Sequence, residues 1–181
     1  RGFENAFVNH MDEKNDERSL LYRNLGNNRF EEVSEAVGLI DKSWSGDASP
    51  IDFNRDGWQD LYVLSMQGHD EYYENVEGKK FVRKSREHFP ATSWGAMGIK
   101  VFDFNNDDAL DVYVTDMHTD MVDSAMQSAR HWYAEKEKMT QNFPARVLAT
   151  DGNHILGNAL FRNDGGGKFT EVSDAVGVET Y

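Results

Sequence analysis

The sequence contains no cysteine and only three prolines in 181 residues. Without cysteine there are no disulfides and no thiolate metal sites, although large secreted domains can do without disulfides, so the compartment stays open. No run approaches the roughly 18 apolar residues that a membrane-spanning helix needs. Basic residues are scarce, 19 Lys and Arg against 32 Asp and Glu, for a formal net charge of −13. A nucleic-acid partner wants a basic stripe and is not expected. The balance fits an extracellular, cell-surface or periplasmic protein, or one that concentrates cations. Phosphate-cradling glycine loops are also lacking: Gly165-Gly166-Gly167 falls in a hairpin turn, not between a strand and a helix. Ser93-Trp94-Gly95 lacks the elbow of a nucleophilic serine. There is no Asn-x-Ser/Thr sequon for N-glycosylation. The opening RGFENAFVNH is not a signal peptide, which implies a removed leader or a start inside a longer protein.

What the chain does have is an internal repeat. Gly57-Trp-Gln-Asp-Leu-Tyr-Val63 returns as Asp108-Ala-Leu-Asp-Val-Tyr-Val114, with a further copy in Gly2-Phe-Glu-Asn-Ala-Phe-Val8. A second element follows each: 21–39, 72–85 and 160–178. In each of these an Asn precedes a Phe by six residues, as Asn24 and Phe30, Asn75 and Phe81, Asn163 and Phe169. Loop to loop, the period is 51–55 residues. Leu61-Tyr-Val63 and Val112-Tyr-Val114 are β-branched and aromatic runs that read as strands. Leu25-Gly-Asn-Asn28 is a hairpin turn. Strands expected at Ala48–Ile51 and Ile99–Phe102 bring each unit to about four. Four short antiparallel strands at this spacing are the pattern of a β-propeller blade, so the expected class is all-β, a partial propeller spanning 1–181 with about three and a half blades.

Before two of the apolar strands the charge is concentrated. DFNRDGWQD places Asp52, Asn54, Asp56 and Asp60 at loop positions 1, 3, 5 and 9, and DFNNDDALD places Asp103, Asn105, Asp107 and Asp111 likewise. Backbone carbonyls of Trp58 and Ala109, at position 7, would add an oxygen to each. An all-oxygen set with three carboxylates suits Ca²⁺ better than Mg²⁺, which demands strict octahedral geometry. An EF-hand is excluded, because position 12 is Val63 or Val114 instead of Glu. The plain alternative is an acidic turn without metal, since Asp and Asn are ordinary turn formers. Two copies in register argue against it. The loops differ at position 6, where Gly57 in one is Asp108 in the other; Asp108 is expected to point outward at some backbone cost. The first copy offers Arg1 and Asn5 at positions 5 and 9, so no metal is expected there.

The pattern D-x-N-x-D-G-x-x-D-L-Y-V, preceded by Trp44-Ser-Gly46 and followed by L-Y-R-N-x-G-x-x-F elements, resembles the FG-GAP/VCBS repeat, the calcium-binding blade of integrin-α-like propellers. It is most similar to bacterial relatives of cartilage acidic protein. The resemblance covers nearly the whole chain except 117–157. It implies a propeller of usually seven blades, secreted or surface-exposed, used for binding and adhesion and not for catalysis. Asp108 in place of Gly, the degenerate first copy and the long insertion depart from the family pattern.

The insertion, 118–157, is expected to be helical. Asp120 is a candidate N-cap, and Val122, Met126, Ala129 and Tyr133 share a helical face until Pro144. His118, His131 and His154 with Met117, Met121, Met126 and Met139 would suit a copper or haem site. The blander reading is gap-filling methionine and ordinary histidine, and no Cys-x-x-Cys-His motif or i, i+4 His pair supports the sharper one. Trp44, Trp58 and Trp94 could stack on carbohydrate, but blade packing accounts for them as well. The expected function is therefore a non-catalytic, calcium-binding module for protein–protein or cell-surface interaction. The alternative is a scaffold or accessory portion of a larger secreted enzyme or redox assembly.

Overall fold

Short apolar runs punctuated by Gly, Asn and Asp can bury themselves only by pairing with neighbours, and they do so locally. In the computed structural model the described residues are 18–41, 43–66, 68–93, 95–117, 154–155 and 157–178. Twelve strands are found among them: β1 (Tyr22–Gly26), β2 (Arg29–Glu32), β3 (Ser45–Ile51), β4 (Asp60–Ser65), β5 (Glu71–Val76), β6 (Lys80–Arg83), β7 (Thr92–Ser93), β8 (Ala96–Phe102), β9 (Asp111–Asp116), β10 (His154–Ile155), β11 (Ala159–Asn163) and β12 (Phe169–Glu171). Two four-stranded antiparallel sheets result, ordered β3-β4-β5-β6 and β12-β11-β9-β8, with β1-β2 as a separate hairpin. The chain is mostly β in antiparallel sheets, as expected. The first strand of each sheet starts three residues earlier than the sequence indicated, at Ser45 and Ala96, each with a register shift near its start.

Alternation along the strands splits the core in two. Tyr62 and Leu64 of β4, with Tyr72 of β5, face the second sheet and meet Val112, Val114 and Phe161. Val63 and Tyr73 face the opposite way, onto Val33, Val37 and Leu39 behind the β1-β2 hairpin. Phe89, fully buried, stacks on Phe169 at 4.3 Å and meets Phe53 and Phe161 edge-on. The β3–β6 unit is thus sandwiched by its sequence neighbours.

A parallel pair, β7 with β10, was not expected from the sequence. Two residues per strand carry no periodicity, and β10 falls at the end of the stretch read as a helical insertion. Residues 118–153 and 156 of that insertion, the first repeat copy at 2–8 and Trp94 lie outside the described residues. Trp58 is not core: it is 44 % exposed, and its ring covers Gly78, where a Cβ would come within 2.5 Å of it.

Candidate functional site

The two acidic loops fold alike. In the first, the N–H of Asp56 donates to Asp52 Oδ1 (3.1 Å) and Asn54 Oδ1 (3.0 Å), and Gly57 N–H donates to Asp52 Oδ2 (2.9 Å). Asn54 Nδ2 reaches Asp56 Oδ2 at 3.0 Å, and Trp58 N–H reaches Asp56 Oδ1 at 2.8 Å. Every bond has its counterpart in the second loop: Asp107 N–H to Asp103 and Asn105 (3.2 and 3.1 Å), Asp108 N–H to Asp103 (2.9 Å), Asn105 to Asp107 (2.7 Å) and Ala109 N–H to Asp107 (2.8 Å). The backbone turns match too. Arg55 and Gly57 have φ of 59° and 88°, and Asn106 and Asp108 have 59° and 66°. Asp108 therefore occupies the left-handed conformation that Gly57 adopts freely, and it is exposed.

Positions 1 and 3 thus converge on the position-5 N–H in each loop, and the position-5 carboxylate accepts from the position-7 N–H and the position-3 amide. Position 9 is used differently. Asp60, 1 % exposed, accepts from Asn75 N–H (2.8 Å), the Tyr72 hydroxyl (2.6 Å) and, at 3.4 Å, Phe53 N–H. Asp111, fully buried, accepts from Phe104 N–H (3.0 Å) and Asn163 N–H (2.8 Å). Burial raises the Asp60 carboxyl above the usual range against these three donors, and the charge of Asp56 pushes it the same way. Asp107 is instead held below that range by the N–H of Ala109 and the amide of Asn105, with Arg55 and Arg162 adding attraction.

Asn75 and Asn163 return the grip. Their Nδ2 groups donate to the carbonyls of Gln59 (2.9 Å) and Leu110 (3.2 Å), one residue before each buried Asp. Their Oδ1 atoms accept from Gly78 and Gly165 in the hairpin turns, both at 3.0 Å. A serine four residues after each repeat Phe completes the unit: Ser34, Ser85 and Ser173 accept from the N–H of Leu21, Tyr72 and Leu160 at 2.7, 2.9 and 2.8 Å. The serine had a sequence signal, since it recurs in register in all three copies, but the position-9 Asp–Asn clamp could not be told from a metal ligand.

The loops border a common cleft of about 390 Å³, lined by Phe53 and Arg55 from one, Asp107 and Ala109 from the other, and the Asp164–Gly167 turn. Among the described residues no three His, Cys, Asp or Glu side chains converge as a metal set. Each loop gathers two carboxylates and one amide oxygen, and each carboxylate oxygen keeps lone pairs beyond the single N–H it accepts here. A hard, oxygen-seeking cation is the ligand such donors suit.

The FG-GAP-like repeat model matches residues 6–63 and again 52–114, more than half of the chain. The chain belongs to the FG-GAP-like repeat family. Both matches contain loop 52–60, and each ends in the strand that follows an acidic loop, β4 or β9. The FG-GAP-like unit is thus offset from the sheets: the match at 52–114 begins in the loop after β3 and ends in β9 of the next sheet. No curated protein matches the chain.

Proposed function

We propose that this FG-GAP-like chain is a non-catalytic, calcium-stabilised part of a β-propeller that mediates protein–protein or cell-surface interaction outside the cytoplasm. The observation that carries the calcium reading is the duplicate loop: the same donors, turns and five bonds recur at 52–58 and 103–109 although the side chains between differ. Asp52, Asn54 and Asp56, and Asp103, Asn105 and Asp107, would hold the ion through side chains. Trp58 and Ala109 would offer carbonyls, and Asp60 and Asp111 would contribute any lone pairs left from the clamp. Bound, the cation neutralises like charges that the loop otherwise holds together at a cost. Kinship with bacterial relatives of cartilage acidic protein and a ring of more blades belong to this reading, on the strength of the loop and hairpin motifs. The exposed loops and the half-exposed Trp58 would meet a protein partner, or carbohydrate.

Thermal melting tests it. A site saturated a hundredfold over its Kd adds roughly 2.7 kcal/mol. Asp56→Ala and Asp107→Ala should each lower the melting temperature in millimolar calcium and change it little in EDTA. Equal losses in both conditions would make the carboxylates structural without metal.

A further inference from the structure

The β5-β6 and β11-β12 turns are built alike, yet one is covered and the other is open. Glu77 and Gly78 in the first, and Gly165 and Gly166 in the second, stand two and three residues after the repeat Asn. All four are left-handed, at φ of 54°, 68°, 79° and 60°. Position 7 of each unit's acidic loop decides what lies over the second of the pair. Beside the first turn it is Trp58, whose ring covers Gly78 so closely that a Cβ there would come within 2.5 Å. Beside the second it is Ala109, and among the described residues nothing lies within 4 Å of the same position on Gly166. Trp58 and Ala109 bond alike, each N–H donating to the position-5 Asp at 2.8 Å. One unit thus supplies a ring for its own turn, whereas Ala109 and Gly166 line the cleft of about 390 Å³. Both walls of that cleft belong to described units. The chain leaves β9 at Asp116 and enters β11 at Ala159 at the opposite end of the sheet.

Donors without acceptors border the same cleft. Gly166 and Gly167 line it, and neither N–H has an acceptor among the described residues. Gly167 is buried against the His88 ring, which a Cβ would approach to 2.4 Å. A buried backbone N–H left without an acceptor is rare in a folded protein. Arg55 lines the other wall and makes no hydrogen bond or ion pair among the described residues. The acids on the rim are engaged instead. Asp164 accepts from Arg162 Nε at 2.7 Å and from the Thr170 hydroxyl, and Asp107 accepts from Ala109 N–H and the Asn105 amide. Gly165 N–H donates to Asn163, and Lys168 N–H to the carbonyl of Gly165, so the turn is fixed before a ligand arrives.

We propose that this cleft binds a small aromatic carboxylate, its ring lying over Gly166 as Trp58 lies over Gly78 and its acid accepting from Arg55 and the Gly166 and Gly167 N–H groups. Guanidinium and carboxylate form paired, charge-assisted hydrogen bonds. Phe53 and Ala109 give the ring apolar wall, and the volume is that of a small-molecule site. Uncommitted donors call for an acceptor, which sets the ligand's sign even on a chain of net charge −13. The inference stands on the cleft and not on calcium, so either can fail alone.

Calorimetric titration of the whole chain with indole-3-acetate, in calcium and again in EDTA, tests it. One site is expected in both, with a Kd of about 1 mM or tighter. Indole alone and acetate alone should bind more weakly, and tryptamine, with an amine in place of the acid, no better than indole. Arg55→Gln should weaken binding about tenfold or more, because a charge-assisted bond is lost. Ala109→Trp places in this unit the ring that the other already carries, and it should abolish binding with unchanged circular dichroism. Ala109→Leu serves if that variant does not fold. A wild type that takes up no indole-3-acetate at millimolar concentration overturns the inference. So does an Ala109→Trp or Ala109→Leu chain that binds like the wild type, or tighter binding of tryptamine than of indole-3-acetate.

Discussion

Asp70 shows how far a single residue in this acidic chain departs from its ordinary chemistry. It is fully buried, accepting from Ser65 N–H at 2.9 Å and the Tyr62 hydroxyl at 3.2 Å. Burial pushes its carboxyl well above the usual value of 3.8 against those two bonds, and the charges of Asp116 and Glu71 push it further. The folded state therefore holds a proton that the unfolded chain has released, and stability falls as pH rises from the ordinary carboxylate value toward the raised one. Asp70→Asn cannot ionise. Urea unfolding between about pH 4 and 7 should show a shallower fall for this variant than for the wild type, the residue of the slope coming from Asp60 and Glu71. An unchanged slope would mean that Asp70 stays ionised in the fold. At the same scale Asp108 takes up the turn that Gly57 makes, as its position in the repeat indicated. Arg55 and Asn106 at positive φ were not foreseen; Asn adopts the left-handed turn more readily than most residues, but Arg at the matching position carries no such signal.

At the scale of the element, the acidic loop and the hairpin act as one piece, joined by the reciprocal Asp–Asn bonds. Asp111→Ala would leave the N–H groups of Phe104 and Asn163 without their acceptor in a dry site, a loss of about 2–3 kcal/mol. Asp107 is exposed, and in EDTA its change to Ala should cost no more than about 0.5 kcal/mol. Urea unfolding of both variants in EDTA should keep that order; equal losses would remove the clamp from the account. The strands, the hairpin turns and the positions 1, 3 and 5 were legible in the sequence, because period-two alternation and spaced Asp and Asn leave a direct trace. Which way Asp60 and Asp111 point was not. A carboxylate aimed at a cation and one aimed at two amides look the same in a sequence, and only the tertiary contact with Asn75 or Asn163 separates them.

At the scale of the molecule, two four-stranded sheets and a hairpin stack through alternating faces, and the loops that carry the acid stand beside one another at a shared cleft. The repeat period foretold this stacking, since a unit whose strands are apolar on both faces needs a neighbour on each side. The two-residue β7-β10 pairing left no such trace. The central claim is that each loop, with its own triad, holds one calcium ion. Calorimetric titration of the metal-free chain with calcium measures this most directly. Two sites are expected for the wild type, one for Asp52→Ala, one for Asp103→Ala and none for the double variant, with folding intact by circular dichroism. A wild type that binds no calcium in the millimolar range, or a double variant that still binds two ions, would contradict the account.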